Sequence, residues 1–225
     1  MPHQLDNWIG KRLHFIGIGG AGMSGLARIA LSHGITVSGS DAKDSSVVTA
    51  LSALGATVST SHSAENVDGA DLVVYSNAIS QSNPERVRAQ ELALPILTRA
   101  AALAILMSES KSVAVAGTHG KTTTSSMLAV ALQACAADPS FAIGGTITAS
   151  GSNAHRGTGE IFVAEADESD GSFIEYHPFG AIVTNVEHDH VDFFETPEAV
   201  AQAFRDFAAT IKPGGFLTYC ADDAG

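Results

Sequence analysis

Val113–Met127, "VAVAGTHGKTTTSSM", is the stretch whose reading decides the fold. An apolar β-run leads into a glycine-lysine-threonine turn, and a helical segment follows. Such a turn surrounds an anion with backbone N–H groups at a helix N-terminus, and adds an ammonium and a hydroxyl. Gly117, Thr118, His119, Gly120, Lys121, Thr122 and Thr123 therefore form a candidate triphosphate loop. Lys121 is placed to neutralise β/γ oxygens and Thr122 to offer a metal-binding hydroxyl. His119 reads as a positioning residue. The loop departs from G-x-x-x-x-G-K-[ST], because Val115 stands where the first glycine is expected.

A second glycine loop lies upstream. Gly17, Gly19 and Gly22 form G-x-G-x-x-G between the strand-like "RLHFIGI" and a segment whose Met23, Leu26, Ala27, Ala30 and Leu31 share one helical face. Asp41 ends the next strand, "TVSGSD", where a carboxylate can bond a ribose hydroxyl. This pattern selects a nucleotide diphosphate. NAD(P), another dinucleotide-like diphosphate and a purely structural turn all satisfy it, although no partner for hydride transfer stands out.

Strands alternate with helical patterns on either side of these loops, which predicts an α/β fold with parallel sheets. "ATVST", "ADLVVYSNAI" and "LPILT" continue the first set of strands, and an alanine- and leucine-rich helix ends near Ser108. The scheme restarts at "SESKSVAVAGT". Residues 1–109 are thus expected to form a Rossmann-like domain and residues 110–225 a P-loop-type α/β domain. The second contains "SFAIGG", "EIFVAEA", "GAIVTNV", a helix over Pro197–Ile211 and "GFLTYC". The stop at "ADDAG", just after a strand, reads as an incomplete domain.

Twelve basic residues against 24 acidic ones give a net charge of −12, a field that repels nucleic acid. Any anionic ligand must be held by local dipoles, a few cations or metal ions. The chain lacks a long apolar run, so a soluble cytoplasmic protein without membrane contact is expected. Cys135 and Cys220 read as buried free thiols.

Two acidic segments end successive strands. "VAEADESD" supplies Glu165, Asp167, Glu168 and Asp170; "TNVEHDHVD" supplies Glu187, His188, Asp189 and His190. In an open parallel sheet both would converge on the phosphate loop at the carboxyl edge. There they suit Mg²⁺ bound partly through substrate oxygens better than zinc, given the carboxylate excess. Solvated acidic turns are the plainer reading.

Together "GIGGAGMSG", "SD" at Ser40–Asp41, "SNAI", "GTHGKTTT", "EADESD" and "TNVEHDHVD" resemble the Mur ligases over nearly the whole chain. The family's ATP loop has the short G-T-x-G-K-T form, which accounts for Val115. The resemblance implies that Gly17, Gly19, Gly20, Ala21, Gly22, Met23, Ser40, Asp41, Ser76, Asn77, Ala78 and Asn153 contact UDP-N-acetylmuramate. It implies that residues 117–123 bind ATP, and that Lys121, Glu165 and His190 are catalytic. Thr122, Glu165 and His190 would hold Mg²⁺, with Glu165 bridging two ions. Some members carry a carbamylated lysine about fifteen residues past the metal histidine. Arg205 occupies that neighbourhood here, as expected for the branch that adds L-alanine.

The implied chemistry is phosphorylation of the muramoyl carboxylate by ATP, followed by attack of the amine of L-alanine. An NAD-dependent dehydrogenase would leave the second loop and the acidic segments without a role. A non-catalytic nucleotide-binding module and a ligase for another amino acid or peptide are the remaining alternatives.

Overall fold

The computed structural model describes residues 5–148 and 150–223. The chain divides into two compact units, Met1–Leu106 and Met107–Gly225.

The first unit is built on five parallel strands: β1 (Arg12–Ile16), β2 (Thr36–Ser40), β3 (Thr57–Ser59), β4 (Leu72–Tyr75) and β5 (Ile96–Thr98). Their order is β3-β2-β1-β4-β5. Leu13, Phe15 and Ile16 of β1 and Leu72, Val73 and Val74 of β4 are buried, the near-continuous apolar run of strands covered on both faces. The strand order reverses between β1 and β4, and such a switch point opens a crevice at the carboxyl edge. Helices α1 (Ala21–Ser32), α2 (Ser46–Ala53), α3 (Pro84–Glu91) and α4 (Arg99–Met107) alternate with the strands.

The second unit contains β6 (Lys111–Ala116), α5 (Lys121–Ala134), β7 (Ser140–Ile147), β8 (Ser152–His155), β9 (Ile161–Glu165), β10 (Gly180–Val183), α6 (Pro197–Ala209) and β11 (Phe216–Tyr219). The sheet order is β11-β10-β6-β9-β7-β8. All pairings are parallel except β7 with β8. The expectation of parallel strands fails there because only a tight turn through Gly151 (φ +64°) joins the two, too short for a crossover. Helix α6 has Thr196 as its N-cap, accepting from the Ala199 N–H, and Pro197 in its first turn.

Both cysteines are free and exposed, against the expectation of burial. Cys135 sits at the C-cap of α5 and Cys220 just past the exposed strand β11, so apolar neighbours in sequence did not become apolar neighbours in space. Among the described residues, no helix is long and apolar enough to cross a membrane.

Candidate active site

In the second unit the triphosphate loop joins β6 to α5. Val115 is fully buried in β6, opposite Glu165 of β9, so the position where a longer loop would carry glycine belongs to the sheet. Gly117 (φ +133°) and Gly120 (φ +80°) take conformations that L side chains rarely adopt. Gly120 is the N-cap of α5 and supplies no side-chain cap, so the first helical turn presents its backbone donors outward.

The end of β10 braces this loop. Thr118 N–H donates to the Asn185 carbonyl (3.1 Å) and His119 N–H to Asn185 Oδ1 (2.9 Å). Thr184 Oγ1 donates to the His119 carbonyl at 2.6 Å. Thr118 is buried, and its hydroxyl accepts from the Glu187 N–H at 2.9 Å. It therefore anchors the loop to the "TNVEHDHVD" segment. Thr184 and Asn185, quoted for their motif, have this bracing role only once the strands are placed.

Lys121 and Thr122 face different acids. Lys121 Nζ donates to both oxygens of Glu168 (2.9 and 2.8 Å) and to the carbonyls of Gly117 (2.8 Å) and Thr118 (3.3 Å). Glu168 is buried, and its Oε1 lies 3.5 Å from His190 Nε2. His190 has φ +53°, an uncommon backbone state for a residue with a side chain. Thr122 Oγ1 meets both Glu165 oxygens at 3.0 Å, and Gly144 N–H donates to Glu165 Oε2 at 2.7 Å. The loop thus brings Lys121, Glu168 and His190 together on one side and Thr122 with Glu165 on the other. A cavity of about 300 Å³ opens among residues 118–123 and Glu165. Thr122, Glu165 and His190 do not form a ready-made cage: among the described residues, no group of three or more His, Cys, Asp or Glu side chains is arranged to hold a metal. Asp189 accepts from the His190 N–H, which holds its carboxyl below the usual range.

In the first unit, Gly17 (φ +81°) turns the chain out of β1, and Gly20 N–H donates to its carbonyl. Asp41 Oδ2 accepts from Gly19 N–H at 2.9 Å, and a methyl group on Gly19 would fall 2.8 Å from that oxygen. Asp41 therefore orients the loop whatever else it binds. Ala21 and Gly22 open α1, whereas the Met23 side chain is buried in the core, leaving its backbone as the part that faces a ligand. A methyl group on Gly22 would meet Arg99 Cδ at 2.8 Å, so an arginine that the sequence reading passed over lies against the start of α1. Ser76, Asn77 and Ala78 make a turn after β4, closed by Ile79 N–H donating to the Ser76 carbonyl. Ser40 is fully buried and its hydroxyl points inward, so it serves the loop from behind. Asn153 lies on β8 and so belongs to the second unit, whereas the other residues expected to hold the UDP-sugar belong to the first.

Residues 12–111 match the family described as Mur ligase family, catalytic domain, and residues 115–225 match the Mur ligase middle domain. This chain belongs to the Mur ligase family. Two curated Mur ligases, both named UDP-N-acetylmuramate–L-alanine ligase, are 58% identical to it. The one from Nocardioides sp. aligns over 95% of this chain and 48% of its own length; the one from Saccharopolyspora erythraea over 96% and 45%. The chain thus spans about half the length of these relatives. Among solved structures, a UDP-N-acetylmuramate:L-alanyl-γ-D-glutamyl-meso-diaminopimelate ligase from Neisseria meningitides superposes with a TM-score of 0.88 at 34% identity. That match covers 95% of this chain and 72% of the other. UDP-N-acetylmuramate-alanine ligase from Thermotoga maritima gives 0.86 at 34% identity, over 95% and 50%. In this Mur ligase Arg205 lies on α6, where its guanidinium donates to Gln202 Oε1 at 3.0 and 3.2 Å.

Proposed function

We propose that the protein carrying this chain is an ATP-dependent ligase that joins L-alanine to UDP-N-acetylmuramate. The first unit would hold the UDP-sugar and the second would hold ATP. The observation that carries the reading is the pair Lys121–Thr122, adjacent in sequence and both lining the open loop cavity, with Lys121 bonded to Glu168 and Thr122 to Glu165. The names of the relatives at 58% identity support L-alanine as the incoming amino acid.

A carboxylate is a poor acyl donor because its leaving group would be oxide. Transfer of the γ-phosphoryl group to the muramoyl carboxylate leaves ADP and an acyl phosphate. The alanine amine then attacks the carbonyl, loses a proton, and expels phosphate through a tetrahedral intermediate. Phosphoryl transfer needs positioning and charge neutralisation more than a nucleophilic side chain. Lys121 would leave Glu168 to meet the β/γ oxygens, while the N–H groups opening α5 hold the phosphates.

The hydroxyl of Thr122 and the carboxylate of Glu165 are adjacent hard-oxygen donors. They fit Mg²⁺ completed by phosphate oxygens and water, with His190 as a further ligand. When bound, the ion would neutralise the charge that develops on the transferring group. The braces from Thr184 and Asn185 would keep the loop in register with these donors.

A second reading has its own support: the Neisseria relative is named for attaching a preformed peptide. The two are separated by supplying the whole protein with ATP, Mg²⁺ and UDP-N-acetylmuramate, together with either L-alanine or L-alanyl-γ-D-glutamyl-meso-diaminopimelate. Phosphate release and amide formation with L-alanine alone are expected. Turnover only with the tripeptide would replace the first reading with the second.

A further inference from the structure

The first unit contains a buried charge that the proposed chemistry does not use. Glu85, the second residue of α3, is 0% exposed. Its Oε2 accepts from Ser40 Oγ at 2.5 Å and lies 3.4 Å from His62 Nδ1 and 3.5 Å from His14 Nε2. Its Oε1 accepts from Asn66 Nδ2 at 2.6 Å and from the Ser63 N–H at 3.3 Å. His14, itself 1% exposed, uses Nδ1 on Ser38 Oγ (3.0 Å), which leaves Glu85 as the charged group facing Nε2.

A lone buried carboxylate is costly, and an apolar side chain of similar volume would often stabilise a fold as well or better. This carboxylate gathers β1, β2, α3 and the segment from His62 to Asn66 at one point. That point is directly behind the first glycine loop. The carbonyl of Ser40 accepts from Gly17 N–H (2.8 Å) and Ile18 N–H (3.0 Å), and the next residue, Asp41, accepts from Gly19 N–H. Three consecutive loop amides therefore hang on Ser40 and Asp41, and Ser40 hangs on Glu85.

We propose that Glu85 is a positioning residue for the UDP-sugar site, fixing Ser40 and through it the glycine loop. The proposal rests on the reading that this loop holds the UDP-sugar. In the 225-residue chain, Glu85→Gln should weaken binding of UDP-N-acetylmuramate about tenfold or more, as expected for a lost hydrogen bond to a charged group. Binding of β,γ-imido-ATP at the other loop should stay unchanged, which also reports that the variant is folded. Ser40→Ala should reproduce the loss, and the double variant should be no worse than either single one, because the two residues act in series.

Hydrogen exchange at the Gly17, Ile18 and Gly19 amides should speed up in Glu85→Gln without any ligand. A Glu85→Gln chain with a lower thermal midpoint but wild-type affinity and wild-type exchange at these amides would overturn the proposal. If Glu85→Gln fails to fold, Ser40→Ala carries the same two measurements, and unchanged values there overturn it. If the wild-type chain itself ignores UDP-N-acetylmuramate, the reading of the site falls. The exchange measurement then still decides whether Glu85 positions the loop.

Discussion

The ammonium of Lys121 has three protons and is crowded by four acceptors, two of them on Glu168. A phosphate can engage it only by drawing it off a buried carboxylate, so nucleotide binding exchanges one anionic partner for another. Without nucleotide, Lys121→Ala leaves the buried Glu168 with only His190 beside it at 3.5 Å, and should cost about 3 kcal/mol in urea unfolding. Lys121→Met combined with Glu168→Gln should recover more than half of that loss; equal losses in both variants would show that the pair contributes nothing special. Glu85 gives a second residue-scale prediction, in pH. Burial pushes its carboxyl up, but the polar groups of His14, Ser40 and Asn66 outweigh burial and hold it at about 2, against an ordinary 4.5. The folded pKa is depressed, so the carboxylate stabilises the fold above pH 4.5, and this contribution drains away as pH falls from 4.5 toward 2. His14 and His62 both face Oε2 of this carboxylate, so the comparison must be made between Glu85→Gln and wild type at each pH. The gap in thermal midpoint should narrow below 4.5 and close near 2; a gap that widens on acidification would contradict the assignment. The approach of Thr122 to Glu165 was legible because their motifs follow and end neighbouring strands. Glu168 was visible only as one acid among four, since nothing in "EADESD" says which carboxylate turns inward. Ser40 was read as a ligand contact for the same reason: the motif gives the position, and burial gives the role.

At the scale of elements, α3 is where a local signal sets a distant geometry. Asn83 caps the helix, its Oδ1 accepting from the N–H groups of Glu85 (2.9 Å) and Arg86 (3.4 Å), and Pro84 occupies the first turn. Asn83→Ala should cost about 1 kcal/mol in urea unfolding, the usual worth of such a cap. Asn83→Ser should keep most of the stability, and an Ala variant as stable as wild type would mean that the helix start is fixed by packing alone. Strands with apolar runs and mostly buried residues, such as β1, β4 and β6, were readable because a covered strand shows its residues as apolar in sequence. The short helices α2 and α3 were not read, although Ser45 and Asn83–Pro84 are ordinary start signals. α3 carries charged residues at half of its positions and buries only Glu85 and Ala89, so it shows no apolar face to detect. Strand β8 escaped for a related reason, since "SNAH" is short and polar, and only its pairing with β7 marks it as a strand.

At the scale of the whole molecule, each unit carries one glycine loop at the carboxyl edge of its own sheet, and the net charge of −12 opposes both anionic ligands. Affinity must then come from short-range donors, because a repulsive field cannot draw a diphosphate or a triphosphate to either loop. Substitutions in one loop should consequently act on one ligand. In the 225-residue chain, Asp41→Ala should weaken UDP-N-acetylmuramate by about 1–2 kcal/mol, since the loop loses the acceptor that fixes the Gly19 N–H. It should leave β,γ-imido-ATP untouched. Lys121→Ala should do the reverse, costing the ATP analogue about 2 kcal/mol for a lost charge-assisted contact. Calorimetric titration of both variants with both ligands gives four comparisons, and NAD serves as a third ligand that should produce no binding heat. Tight NAD binding that disappears in Asp41→Ala would return the first unit to the dehydrogenase reading. Loss of both ligands in both variants would mean that the two loops serve a single nucleotide, and the division of labour between the units would have to be abandoned.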